Sequence, residues 1–100
     1  MTSEELKNRT KIFAINGTKL SIELPINSTN KIYNGQLIRC SSSVGANYRA
    51  AIRAKSINKL KIVEEELDES LFFSELIKEF NPTLNSKIEL ICNEGEQLLK

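Results

Sequence analysis

Residues 31–53, KIYNGQLIRCSSSVGANYRAAIR, decide the fold. Ser41, Ser42, Ser43 and Gly45 are mediocre to poor helix formers, and on propensity alone a helix would break there. The apolar positions oppose that reading. Tyr33, Leu37, Cys40, Val44, Tyr48 and Ala51 recur at spacings of four, three, four, four and three, which is one face of a 3.6-residue period. The phase is kept across the serines, and a chain that left the helix at Ser41 would have no reason to keep it. The stretch reads as one long amphipathic helix, capped by Thr29 or Asn30.

The same period continues on both sides. Upstream, residues 3–23 follow an N-cap at Ser3 or Thr2, with Glu4 and Glu5 well placed in the first turn. Leu6, Phe13, Gly17, Leu20 and Leu24 form the stripe, and Pro25 ends the helix by pushing Leu24 out of the α region. Downstream, Lys55 and Ser56 make a tight corner, with Ser56 as the next N-cap. Residues 57–80 carry Ile57, Leu60, Val63, Leu67 and Leu71 on one face, and Asn81-Pro82 stops them. Leu84, Ile88, Ile91, Gly95 and Leu98 mark a last, shorter helix over 84–99. Four amphipathic helices with short connectors predict an all-α fold, an antiparallel up-down-up-down four-helix bundle formed by residues 1–100 as a single domain.

Composition narrows the function classes. At 100 residues, 40% hydrophobic and 27% charged, the chain falls in the ordinary globular range. No apolar run approaches the roughly 20 residues of a membrane span. The start, Met1-Thr2-Ser3-Glu4-Glu5, lacks the basic-then-apolar pattern of a secretory leader, so a cytoplasmic location away from membranes is expected. Cys40 and Cys92 are too few and too far apart for a disulfide framework or a metal motif, and read as small buried hydrophobes. There is no histidine, and no Gly-rich phosphate loop, nucleophile elbow or Cys-x-x-Cys pair. The acidic run Glu64-Glu65-Glu66-Leu67-Asp68-Glu69 lacks the Glu-x-x-His partners of a di-metal bundle site. Neither an enzyme activity, a metal nor a cofactor is expected.

Two surface patterns point to partners. The third helix carries a second apolar stripe roughly opposite its first, formed by Ile62, Phe73, Leu76 and Phe80 with Phe72 beside it. Ile12, Ile15 and Ile22 repeat this more weakly on the first helix. Aromatics clustered on an outer face suggest an interaction surface, for self-association or for a different protein bound by an adaptor, the competing reading being that helix tilt or the fourth helix covers them. Charge is also segregated beneath a net +1. Residues 26–63 hold Lys31, Arg39, Arg49, Arg53, Lys55, Lys59 and Lys61 and no acid, whereas residues 64–79 hold seven acids against Lys78 alone. Arg39, Arg49 and Arg53 share a helix face with Ser42, Ser43, Ala46 and Ala50, whose small side chains admit a phosphate backbone. Arg39, Arg49, Arg53, Lys55, Lys59 and Lys61 are therefore candidates for contacting RNA or DNA without base specificity. The competing reading packs the second and third helices antiparallel, setting Arg49 level with Glu65 or Glu66 and Arg39 level with residues 68–75.

The run Ser43-Val44-Gly45-Ala46-Asn47-Tyr48-Arg49-Ala50-Ala51, followed by Arg53-Ala54-Lys55-Ser56, carries a further signal. So does Glu66-x-Asp68-Glu69-Ser70-Leu71-Phe72-Phe73-x-Glu75-Leu76. Together they resemble the four-helix bundle proteins encoded by intervening sequences in bacterial 23S ribosomal RNA genes, over nearly the whole chain from Phe13 onward. That resemblance implies a bundle assembling into a cyclic homopentamer, with an unknown role despite an old ribosomal-protein label. It also implies kinship with the accessory variability protein of diversity-generating retroelements, a basic pentamer that binds nucleic acid and a reverse transcriptase. The chain departs from the pattern in its near-neutral charge, in Ala50 where many members carry an acid, and in a last helix ending at Lys100. Asn47, at the edge of the core stripe, is expected to hydrogen-bond across helices and fix their register.

Overall fold

The computed structural model describes residues 2–99. Met1 and Lys100, where the leader reading begins and the last helix is expected to stop, lie outside them. Four α-helices follow one another: α1 (Ser3–Glu23), α2 (Ser28–Ala54), α3 (Ile57–Phe80) and α4 (Asn85–Leu99), with a 3₁₀ turn (Pro82–Leu84) before α4. No strand occurs among the described residues. Each helix packs against its neighbours in the order α1–α2–α3–α4, and α4 returns to α1 along the least closely packed of the four seams. The fold is an antiparallel four-helix bundle, about 41 Å long.

The chain's own chemistry sets the element ends. Thr2 caps α1 by accepting from the Glu5 N–H at 3.1 Å. Pro25 has no N–H, so the Ser21 carbonyl four residues earlier loses its helical donor. Asn34 Nδ2 donates to that carbonyl from α2 at 3.2 Å. The cap of α2 is Asn27, whose Oδ1 accepts from the Asn30 N–H at 2.8 Å, so the helix starts at Ser28 rather than after Thr29 or Asn30. At the far end of α2, Lys55 lies in the left-handed region at φ 52° and ψ 43°. Its N–H donates to Ile52 O, and the Ser56 N–H to Ala51 O, which is the Schellman arrangement made without glycine. Ser56 then accepts from the Lys59 N–H and opens α3.

The core joins Phe13 and Leu20 of α1 to Leu37, Cys40, Val44 and Tyr48 of α2. Val63, Leu67 and Ile77 of α3 and Ile88, Ile91 and Cys92 of α4 complete it. The buried row of α3 is Val63, Leu67, Ser70, Ser74 and Ile77, whereas Ile57 and Leu60 are exposed and Leu71 is only half-buried. Small residues occupy the closest approaches. A methyl group at Gly17 would stand 2.6 Å from Ser41 Oγ, and one at Gly45 would stand 3.3 Å from the Thr10 carbonyl oxygen. The serine–glycine run of α2 is therefore where α1 comes nearest. At one end of the bundle, the Asn30 and Asn81 amides are buried and exchange two hydrogen bonds, of 3.0 and 2.8 Å. Their remaining amide hydrogens go to Pro25 O and Ile77 O.

Candidate functional site

The basic candidates of α2 and α3 divide into two groups. Arg39 faces α3 and makes ion pairs with Glu66 at 3.4 Å and Glu69 at 2.6 Å; hydrogen bonding to Glu69 raises its pKa further. The antiparallel packing weighed from the sequence thus brings Arg39 to Glu69, within the expected stretch, but also to Glu66, which the sequence reading sets beside Arg49. Arg49, Arg53, Lys55, Lys59 and Lys61 have no ion-pair partner among the described residues. Arg53 and Lys55 close α2 and Lys59 and Lys61 open α3, so these four gather around the Lys55–Ser56 corner.

The apolar candidates do not form one face. Phe73 is half-buried and packs on the core, its ring 6.4 Å from Tyr33 of α2. Phe80, 57% exposed, stacks on the same tyrosine at 6.0 Å. Phe72, 55% exposed, meets Phe73 edge-on at 5.6 Å while facing outward. Leu76 is half-buried and Ile62 is exposed. The sequence reading placed these side chains opposite the core. In the fold, the α2–α3 seam claims Phe73 and one side of Phe80, while Phe72 and the other side of Phe80 face outward. Beyond α3, Ile12, Ile15, Ile22, Ile26, Ile32 and Leu90 are also exposed.

Asn47 donates to the Ser43 carbonyl at 2.9 Å and to Ser43 Oγ at 2.8 Å, both within α2. The expected cross-helix bond is made instead by Asn30 and Asn81. Their signal in the sequence was a polar residue at each end of a connector, which reads equally well as a cap. A second feature unread from the sequence is that Lys7, Lys11 and Arg49 border one hollow between α1 and α2, over Gly45 and Ala46. The four-residue spacing of Lys7 and Lys11 hinted at a shared face, but the pairing of helices was needed to set it beside Arg49.

The two thiols are buried and far apart in the chain, and burial raises the pKa of both. Among the described residues, no three histidine, cysteine, aspartate or glutamate side chains gather as a metal site. No helix of the described residues is long and apolar enough to cross a membrane.

A crystal structure of a protein of unknown function from Bacteroides thetaiotaomicron VPI-5482 shares this arrangement, with a TM-score of 0.87 and 26% sequence identity. That protein belongs to the S23 ribosomal protein family. The likeness spans 99% of the present chain and 92% of the other. No protein-family model and no curated protein matches the sequence.

Proposed function

We propose that the chain is a non-catalytic helical scaffold that works as an assembly of identical copies in the cytoplasm. The observation that carries this reading is the amount of apolar surface left outside the core. Among the described residues, thirteen large hydrophobic side chains are exposed, and clusters of such side chains outside a core normally meet a partner. The resemblance to proteins of the 23S intervening sequences supports a ring of five. Multi-angle light scattering at micromolar concentration tests it, with a multimer expected. A monomer would end the scaffold reading and leave the exposed apolar surface to a different protein, as in an adaptor.

A second role for the same assembly, non-specific contact with RNA or DNA, draws on Arg53, Lys55, Lys59 and Lys61 around one corner without ion-pair partners among the described residues. Binding of labelled RNA or duplex DNA at about 50 mM salt, weakening steeply as salt rises, is the expected behaviour. Arg53→Ala/Lys55→Ala should reduce it. No binding at low salt would exclude this role while leaving the scaffold intact.

A further inference from the structure

Three hollows succeed one another along the seam between α1 and α2. The first, of about 280 Å³, lies over Gly45 and Ala46 between Lys7, Lys11 and Arg49. The second shares Ala14 and Ser42 with it and runs past Ile15 and Lys19. The third, of about 500 Å³, is walled by Ile22, Ile26 and Ile38, floored at Gly35 and edged by Lys31. Lys31, Gly35, Ile38, Ser42 and Arg49 fall on one row of α2, at spacings of four, three, four and seven, which sets the three hollows in line as a groove along this seam. Five cations border this groove and no acid does.

The outer ridge of α3 has the opposite character. After Lys61 come Glu65, Asp68, Phe72, Leu76 and Glu79, at spacings of three and four along the side turned from the core. Glu65, Asp68 and Glu79 have no ion-pair partner among the described residues, and Phe72 is an outward aromatic in their midst. Lengths are compatible as well. At 1.5 Å per residue, Lys31 to Arg49 spans about 27 Å and Glu65 to Glu79 about 21 Å, so the ridge fits within the groove.

We infer that the α1–α2 groove of one copy receives the outer ridge of α3 from a second copy, resting on the scaffold reading above. Acids lie along the cationic border, and Phe72 with Leu76 enters the apolar stretch. A phosphate backbone would satisfy the lysines but leave Ile22, Ile26 and Ile38 in water; the acidic, aromatic-bearing ridge covers both. Groove and ridge are different surfaces of the same chain. The contact is therefore head-to-tail, and each copy keeps one groove and one ridge to offer the next, which closes a ring if the rotation permits.

Charge reversal tests the contact by sedimentation velocity, with far-UV circular dichroism reporting helix content. Lys11→Glu/Arg49→Glu reverses the groove and Glu65→Lys/Asp68→Lys reverses the ridge. Each variant alone should raise the dissociation concentration at least about tenfold. The combined variant Lys11→Glu/Arg49→Glu/Glu65→Lys/Asp68→Lys should assemble again, because every reversed groove then meets a reversed ridge whatever the number of copies in the ring. Ser42→Trp, at an exposed position in the groove, should also disperse the assembly without any change of charge. Assembly unaltered in both reversals and in Ser42→Trp, or a combined variant that stays dispersed, overturns this contact while leaving self-association standing. A monomeric wild type overturns both.

Discussion

Gly17 and Gly35 are both helical glycines, yet their surroundings assign them opposite costs. Nothing lies within 4 Å of a methyl group built on Gly35, so Gly35→Ala removes backbone freedom from the unfolded chain without strain. Urea denaturation should show a gain of about 0.5–1 kcal/mol. At Gly17 the same methyl group meets Ser41 Oγ at 2.6 Å and Ser41 Cβ at 3.2 Å. Overpacking of about 1–3 kcal/mol there exceeds the propensity gain, so Gly17→Ala should destabilise. Ser41 Oγ has no hydrogen-bond partner among the described residues, so Ser41→Ala costs little alone and should recover part of the loss in the double variant. The cysteines give a pH signature. Burial raises the folded-state pKa of Cys40 and Cys92, so the folded chain holds the thiol protons more tightly than the unfolded chain. Their contribution is complete below the unfolded thiol value of about 8.5 and is lost as pH rises through the folded value. Denaturation midpoints should fall as pH rises above about 8.5, and Cys40→Ser/Cys92→Ser should flatten the fall even if it lowers overall stability.

The Asn30–Asn81 pair ties the start of α2 to the end of α3 and holds the α1–α2 connector through Pro25 O. Removing one amide leaves the other buried and short of a partner, so Asn81→Ala should cost about 1–3 kcal/mol. Asn30→Ala/Asn81→Ala should cost clearly less than the sum of the two single changes, in a double-mutant cycle read by denaturation. Additive losses would mean that the amides act separately. The bundle itself was legible in the sequence because large apolar residues keep helical phase: every member of the α2 stripe from Leu37 to Ala51 is buried. Beyond that stripe, legibility fails for definable reasons. Ile57 and Leu60 share the phase of α3's core but lie in its first turns, where they stay exposed, while Ser70 and Ser74 are fully buried in the same helix. Hydropathy marks serine as polar, but Ser70 returns its proton to the Glu66 carbonyl at 2.7 Å, and the hydroxyl then behaves as a small packing group. For Arg39 the sequence leaves phosphate contact and pairing with α3 both open, because its acids lie 27 and 30 residues away and only helix packing brings them together. The groove between Lys11 and Arg49 needed the packing of α1 on α2, which neither helix encodes alone.

At the scale of the whole molecule, the seams are unequal. The middle pairings are close, with glycine and serine at their nearest points, whereas α4 meets α1 along a looser line holding a hollow of about 190 Å³ over Phe13, Leu20 and Ile91. Polar clasps hold that seam: Arg9 pairs with Glu94, and Lys87 with Glu23 at 2.9 Å, while Lys78 pairs with Glu89 on the α3 side. The clasping side chains are partly or largely open to water, so added salt weakens them while leaving apolar burial in place. α4 is also the shortest of the four helices, at 15 residues, and an isolated helix of that length is marginal in water. Opening should therefore begin with α4 leaving the other three. Hydrogen exchange followed by mass spectrometry should find α4 amides exchanging faster than those of the central turns of α2 and α3. The gap should widen as salt rises from about 50 mM to about 500 mM, over which range screening becomes short compared with the clasp's surroundings. Equal protection of α4 and α2 at low salt would show that the α1–α4 seam opens only with the whole bundle, and that its ion pairs do not govern the order of events.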